Sequence, residues 1–484
     1  MTARRGATAL ATLAIAGAMA AHAAADVAPR SKASFSIAGL FPIYGPHVHD
    51  YVVRCDDAPV SVSARASDRW RISVDGGAAR AGSFSRSVPL RAGRAFAITI
   101  RNDGGGAPAR YHVRCLPSDF PAYHYARYGP VSPDYFAADT GFAPVDNRYA
   151  MIFDSHGVPV WWYRAPAVGP KVTPSGDVAW FLSNGDSSRY EVRRLNGSLV
   201  RTLTTAGGGS VNPHDLQLLA NGDHLIGAHT TLRHVDISPY GGPSDASVRQ
   251  VELQDVGRGG QLLWAWRSEA HISLAETGRW WPWVLEHRTA DGYFDPVHWN
   301  SIEPHGSSVI ASFRHLDAVY RIRKGNGSIA WKLGGTTTSR SLEVQGDPKG
   351  YTFGGQHDAR LASDGTLSVF DNRTGLKDEK PRAVRYRIDQ AAGTATLVGQ
   401  VGDPAATASY RCGSARVLPN QDWLIDWGQT SRQGAGSIGG YTPDGARTFL
   451  LAFDSTFSYR AQPVPAGVLS AQDLRAGMDA MAAP

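Results

Sequence analysis

One strand–turn unit recurs along the last three quarters of this 484-residue chain, and that recurrence limits the fold more than any other feature. First turns fall at Pro174-Ser175-Gly176, Ala220-Asn221-Gly222, Pro304-His305-Gly306, Ser363-Asp364-Gly365 and Pro419-Asn420-Gln421, with a further copy at Thr442-Pro443-Asp444-Gly445. Second turns follow at Leu195-Asn196-Gly197, Gly259-Gly260, Gly325-Asn326-Gly327 and Ala392-Gly393. Two of these lead into apolar strands ending near an aromatic, at 262–266 and 329–333. A unit of about 45 to 85 residues with four alternating strands cannot bury its own apolar face, so neighbouring copies must stack. The expectation is an all-β chain whose residues 126–470 form a six-bladed β-propeller, give or take one blade. A long β-sandwich or a β-helix is the alternative.

The segment before the repeats has a different texture. Residues 30–125 alternate at 51–55, 60–64, 95–100 and 111–115, with turn signals at Asp75-Gly76-Gly77 and Asn102-Asp103-Gly104-Gly105, and read as a small N-terminal β-sandwich. Cys55 and Cys115 bracket it and are expected to pair, which leaves Cys412 as a buried apolar residue. Residues 1–25 read as a signal peptide, with Arg4 and Arg5 ahead of an apolar run and small residues at the cleavage site. The run is short for a membrane span. A periplasmic or secreted protein without a membrane anchor is expected, by a general or a twin-arginine route. A net charge of +6 without a lysine or arginine cluster argues against nucleic acid as a partner.

Three histidines stand in step within the repeat. His214, His298 and His357 each lie eight residues ahead of a turn glycine, at 222, 306 and 365. Equivalent positions in units arranged about an axis lie at equivalent radius and height, so the three imidazoles should converge. Positions equidistant from a hairpin turn face each other across the ladder. Arg314 should therefore oppose His298, and Arg373 should oppose His357. Thr230 and Gln429 take that place in two other copies. Period-two alternation puts Asn300 on the face of His298 and Trp299 on the other. Asp215 and Asp358 should point away and tie neighbouring strands. The pocket should favour a small oxyanion. Three imidazoles can also hold Zn²⁺ with an open position. Arg314 beside them would repel a dication, so neither a metal nor another cofactor is expected.

The segments Asn212-Pro-His-Asp-Leu-Gln-Leu-Leu-Ala-Asn-Gly222, Val297-His-Trp-Asn-Ser301, Ser312-Phe-Arg-His-Leu-Asp-Ala-Val-Tyr320, Gln356-His-Asp-Ala-Arg-Leu361 and Phe370-Asp-Asn-Arg373 resemble the bacterial arylsulfate sulfotransferase family, a set of exported six-bladed propellers. The similarity runs from about residue 145 to about 450. It implies that His357 is a nucleophile that becomes transiently sulfated. It further implies that His214, His298 and Asn300 bind the sulfuryl group or move protons, and that Arg314 steadies its oxygens. Two departures bear on the acceptor. Gly413 and Ser414 stand where the family has a contact residue in its last blade, and the insert 267–296 is particular to this chain.

The chemistry is reasonable on physical grounds as well. Imidazole has a reference pKa of about 6.5, so a neutral fraction can attack sulfur directly and expel a phenolate. A second imidazole can protonate the leaving oxygen and then take the proton of an incoming phenol. The expected partners are an aryl sulfate donor and a phenolic acceptor, without a nucleotide donor, in ping-pong order. Trp281, in the run Trp280-Trp281-Pro282-Trp283, is the candidate wall of the aryl pocket, with ordinary packing as the other reading. A sulfatase-like hydrolase and a non-catalytic anion- or glycan-binding propeller are the rival functions.

Overall fold

The computed structural model describes residues 32–483, apart from 141–147, 184, 186–187, 349–351 and 379. The expected signal peptide lies outside the described residues. None of the described helices is long and apolar enough to cross a membrane.

The chain is all-β, and its sheets follow the order of the sequence. Near the N-terminus, a three-stranded sheet (Ala33–Ile37, Val60–Ala66, Gly82–Val88) and a four-stranded sheet (Asp50–Arg54, Ala109–Leu116, Ala95–Asn102, Trp70–Val74) share one core. Val60–Ala66 shows why: every second residue is buried and the serines and arginine between them are exposed. Cys55 and Cys115 are disulfide-bonded inside that core, closing a loop of 60 residues. Such a link stabilises by about 2–4 kcal/mol, chiefly through the unfolded chain. Cys412 is free and buried.

Six sheets of four or five strands follow, each built largely from one consecutive stretch of chain. Their first strands touch in sequence: Ala167–Val172 meets Ser210–Leu218, which meets Trp299–His305, then His357–Leu361, then Ser414–Val417. The ends are tied together. Tyr123–Arg127 pairs with Arg447–Phe453 in the last sheet, and Gln462–Pro463 pairs with Tyr135–Asp139 in the first. The expected junction at residues 125/126 falls inside the former strand. The insert 267–296 carries a 3₁₀ segment, Leu274–Trp280, opened by a capping box of Ser273 and Glu276, and then a short helix, Trp281–Glu286.

Turn chemistry explains the hairpins. Gly222 and Gly365 adopt φ of 90° and 78°, open to glycine without a Cβ clash. Hairpin symmetry placed one of the expected cross-strand pairs correctly. The Arg314 N–H donates to the His298 carbonyl at 2.8 Å, so these two residues do meet at the open end. His357, by contrast, pairs with Phe370 and not with Arg373, because the register slips between His357 and Arg360. Asp358, at φ 58°, sits in that slip. A similar slip between Val211 and Leu216 removes Thr230 from the place opposite His214, since on that ladder Ser210 already pairs with His229 and Val211 with Ala228. Gln429 bonds Arg411, outside the histidine group.

A C-terminal helix, Ala471–Met481, joins the two parts of the molecule. Its Leu474 and Met478 are buried. Arg475 grips Asp50 at 2.6 Å, and Asp479 accepts from the buried Arg114 at 2.7 Å.

Candidate active site

The first strands of the third, fourth and fifth large sheets bring His214, His298 and His357 into one group. The rings of His214 and His298 meet edge to face, with centroids 4.9 Å apart. The Tyr459 hydroxyl bridges His214 and His357, 3.3 Å from the His214 carbonyl oxygen and 3.3 Å from Nε2 of His357. Burial pushes the pKa of His214 and of His357 well below the usual imidazole value. Neighbouring groups add to this, the His298 and His357 rings acting on His214, and Arg460 and the His298 ring acting on His357. Both rings are therefore neutral at physiological pH.

Every ring is anchored through Nδ1. That nitrogen lies 2.6 Å from Asn212 Oδ1 in His214, 2.7 Å from Asp295 Oδ2 in His298, and 2.8 Å from the Gly413 carbonyl in His357. In the neutral rings of His214 and His357 these acceptors place the proton on Nδ1 and leave Nε2 as the nitrogen with the lone pair. His298 is the exposed member, with 28% of its side chain accessible. His357 is almost wholly buried.

Arg314 lies beside this group. Its guanidinium donates to Nε2 of His315 at 2.9 Å and stacks on the Trp280 ring at 4.5 Å. Burial lowers its pKa to about 10, with Asp317 opposing the shift, so it keeps its charge. Asn300 is fully buried; its amide donates to the Gln356 carbonyl at 2.8 Å and accepts the Asp358 N–H at 3.3 Å. This ties the fourth sheet to the loop that carries His357.

Two expected contact residues sit elsewhere. Arg373 turns to the Asp378 carbonyl, at 2.5 Å, and to Asp371, at 3.4 Å. Its φ of 54° and the slipped register direct it there. Trp281 is packed, not presented: it stacks on Tyr240 at 4.4 Å within a cluster with Val248, Val284 and Phe294. Helical spacing is the reason, since residues three apart share a face. Trp281 and Val284 face inward, while Trp280 and Trp283 face the site, their rings 4.7 and 4.8 Å from His315. Trp283 remains 40% exposed at the mouth.

Beneath the histidines lies a buried ionic layer. Asp215 accepts from Arg360 at 2.6 Å and Lys171 at 3.2 Å. Asp358 meets both Arg360 and Arg416 at 2.8 Å. Arg460 lies 3.3 Å from each carboxylate. Burial alone would raise both carboxyl pKa values. Arg360 and its neighbours outweigh it, holding Asp215 well below the carboxylate range and Asp358 at about 2. The two aspartates thus tie strands from four sheets, as their alternation implies.

Asp295, His298 and His315 could hold a metal ion by spacing, their ligand atoms lying within 4.8 Å of one another. The donor set does not fit a dication. Nδ1 of His315 is engaged with the Asp295 carbonyl at 2.6 Å, and Nε2 receives the Arg314 guanidinium.

Sequence reasoning missed Asp295, His315, Tyr459 and Arg460. Asp295 and His315 were within reach, three residues before His298 and one after Arg314. Tyr459 and Arg460 lie beyond the last repeat turn, where no register marks them.

No curated protein matches the chain. Several solved structures match the chain at low similarity. Hsv2 of Kluyveromyces lactis is 11% identical, with 86% of this chain and 99% of that chain covered and a TM-score of 0.32. A quinonprotein alcohol dehydrogenase-like protein of Bacteroides thetaiotaomicron is 8% identical, with 86% and 96% covered and a TM-score of 0.32. A putative gluconolactonase is 15% identical, with 61% and 80% covered and a TM-score of 0.33. The sequence model of the arylsulfotransferase (ASST) family matches residues 189–450, more than half of the chain and the whole stretch carrying His214, His298, Arg314 and His357. The chain belongs to the arylsulfotransferase family.

Proposed function

We propose that this protein moves a sulfuryl group from a phenolic sulfate ester to a phenolic acceptor through a sulfated His357, without a nucleotide donor. The observation that carries this reading is the state of His357: Nδ1 is held on the Gly413 carbonyl, and burial keeps the ring neutral. Nε2 is then a permanent lone pair among other imidazoles. In the first step a bond forms between that nitrogen and sulfur, and the S–O bond to the aryl group breaks. The electron pair leaves on the phenolate oxygen, which takes a proton from a neighbouring imidazole. In the second step the acceptor oxygen attacks sulfur, its proton returns to the imidazole, and the S–N electron pair returns to His357. The sequence is ping-pong.

His214 and His298 line this path, and Arg314 supplies the positive charge for the sulfuryl oxygens, where preorganised charge contributes most. Asn300 holds the His357 loop. Trp280 and Trp283 take the part of the aryl wall first given to Trp281. The six large sheets read as six blades of a propeller spanning about residues 120–470, and the two N-terminal sheets read as a sandwich. The Cys55–Cys115 disulfide fits an exported, oxidising setting.

Mass spectrometry of protein quenched after mixing with 4-nitrophenyl sulfate alone tests the reading. The peptide carrying His357 should gain one sulfate, and added phenol should remove it and speed nitrophenol release. Free sulfate, with no effect of phenol, would make the protein a hydrolase. No release at all would leave an anion-binding protein.

A further inference from the structure

The imidazoles of the site share one anchoring scheme and differ in one atom. His214 rests on an amide oxygen, His357 and His315 on main-chain carbonyls, and His298 on the carboxylate of Asp295. A neutral acceptor fixes the tautomer but cannot offset an imidazolium charge in a buried place. A carboxylate does both. Asp295 also accepts the His298 main-chain N–H at 3.1 Å, which holds the residue in its left-handed conformation, φ 44°. The two side chains therefore form one rigid pair.

We propose that Asp295 is a positioning residue that makes His298 the proton carrier of the transfer, while His214 and His357 stay neutral. This rests on the sulfotransfer reading above. In the donor step His298 gives the proton on Nε2 to the departing phenolate oxygen as the S–O bond breaks. In the acceptor step the same nitrogen takes the phenol proton as the S–N bond breaks. Asp295 stays ionised throughout: burial would raise its carboxyl pKa, but His298, then His315 and His229, hold it well below the usual range.

The surrounding groups favour this division. His214, His229, His315 and Arg249 lie around the pair, the rings of His214 and His315 at 4.9 and 4.6 Å from that of His298. Burial pushes His229 down to about 4 and His315 well below its ordinary value. The Tyr459 hydroxyl is the other group near His357, but burial raises its pKa far above 10, so it is a poor proton source. Among the described residues, Nε2 of His298 has no hydrogen-bond partner and is free to exchange a proton.

The test compares wild type, Asp295→Asn and His298→Ala in single turnovers with aryl sulfates of graded leaving ability, from 4-nitrophenyl to phenyl to 4-methoxyphenyl. Asp295→Asn should slow release of the two poorer leaving groups about 10²-fold, the low end of general acid catalysis. Release of 4-nitrophenol should slow only a few-fold. Added to His298→Ala, the Asp295→Asn substitution should cost nothing further. An equal loss with every donor, or an undiminished further loss in the His298→Ala background, overturns the proposal. The sulfohistidine reading fails separately: phenol release without mass gain on the His357 peptide overturns that reading, while the leaving-group trend still judges Asp295. Wild type that releases no phenol from any donor overturns both.

Discussion

Nδ1 of His357 donates to the main-chain carbonyl of Gly413 across the boundary between two sheets, at 2.8 Å. The tautomer of this ring is thus set by backbone and not by a side chain. Gly413 itself has no room for a substituent, because a Cβ there would come 2.4 Å from the Phe370 ring. Gly413→Ala should displace the carbonyl and lower donor turnover about tenfold or more while leaving the His357 side chain intact. Steady-state rates with 4-nitrophenyl sulfate check this, and unchanged turnover would refute it.

Arg314 is held by stacking on Trp280 as well as by its charge. Lysine keeps the charge but lacks the planar fork. Arg314→Lys and Arg314→Ala should both reduce kcat, on the order of 10²-fold for alanine, the size seen for losing one transition-state donor. Full activity in the lysine variant would show that a point charge suffices.

Trp281 and Trp283 should separate stability from specificity. Trp281→Ala removes a buried stacked ring and should cost about 3–5 kcal/mol, the usual toll of such truncations. Trp283→Ala should leave the melting temperature nearly unchanged and raise KM for bulky phenolic acceptors. Thermal melts beside acceptor kinetics decide between them, and a reversed pattern would return the pocket to Trp281.

Acid should destabilise the fold in two stages. His214, His315 and His357 have native pKa values below those of the unfolded chain, chiefly through burial. The unfolded state therefore binds more protons as pH falls below about 6.5, and stability declines from there. Asp215, Asp295 and Asp358 are also depressed, so their contribution is complete above about pH 4 and is lost as pH falls further. Melting temperature should drop between pH 7 and 5 and again below 4. A flat profile from 7 to 5 would mean that these rings are charged or exposed.

Cys412 is held at a pKa of about 12, chiefly by burial. It should resist alkylation in the folded protein and react on unfolding. Reduction of Cys55–Cys115 should lower stability by about 2–4 kcal/mol. Rapid labelling of Cys412 under native conditions would contradict its placement.

The repeat turns, the paired cysteines and the equal register of three histidines were legible in the chain, because glycine-bearing turns and period-two alternation act over a few residues. Those local rules placed His298 opposite Arg314 and turned Asp215 and Asp358 away from the site. They failed where the ladder slips: between His357 and Arg360 one step of irregular backbone carries Arg373 to Asp371. They also failed for Trp281, whose inward face depends on which side of a six-residue helix meets Tyr240. Tertiary structure alone decided the partners of His357, whereas His214 and His298 rest on residues two and three positions before them. Gly413 and Tyr459 reach the histidines only because the sheets close on one another, and no local pattern encodes a contact made across 245 residues of chain, as between Tyr459 and His214. Sequence determined the units and their register; packing between units decided which nitrogen of His357 is held by the backbone, because that carbonyl belongs to a neighbouring unit.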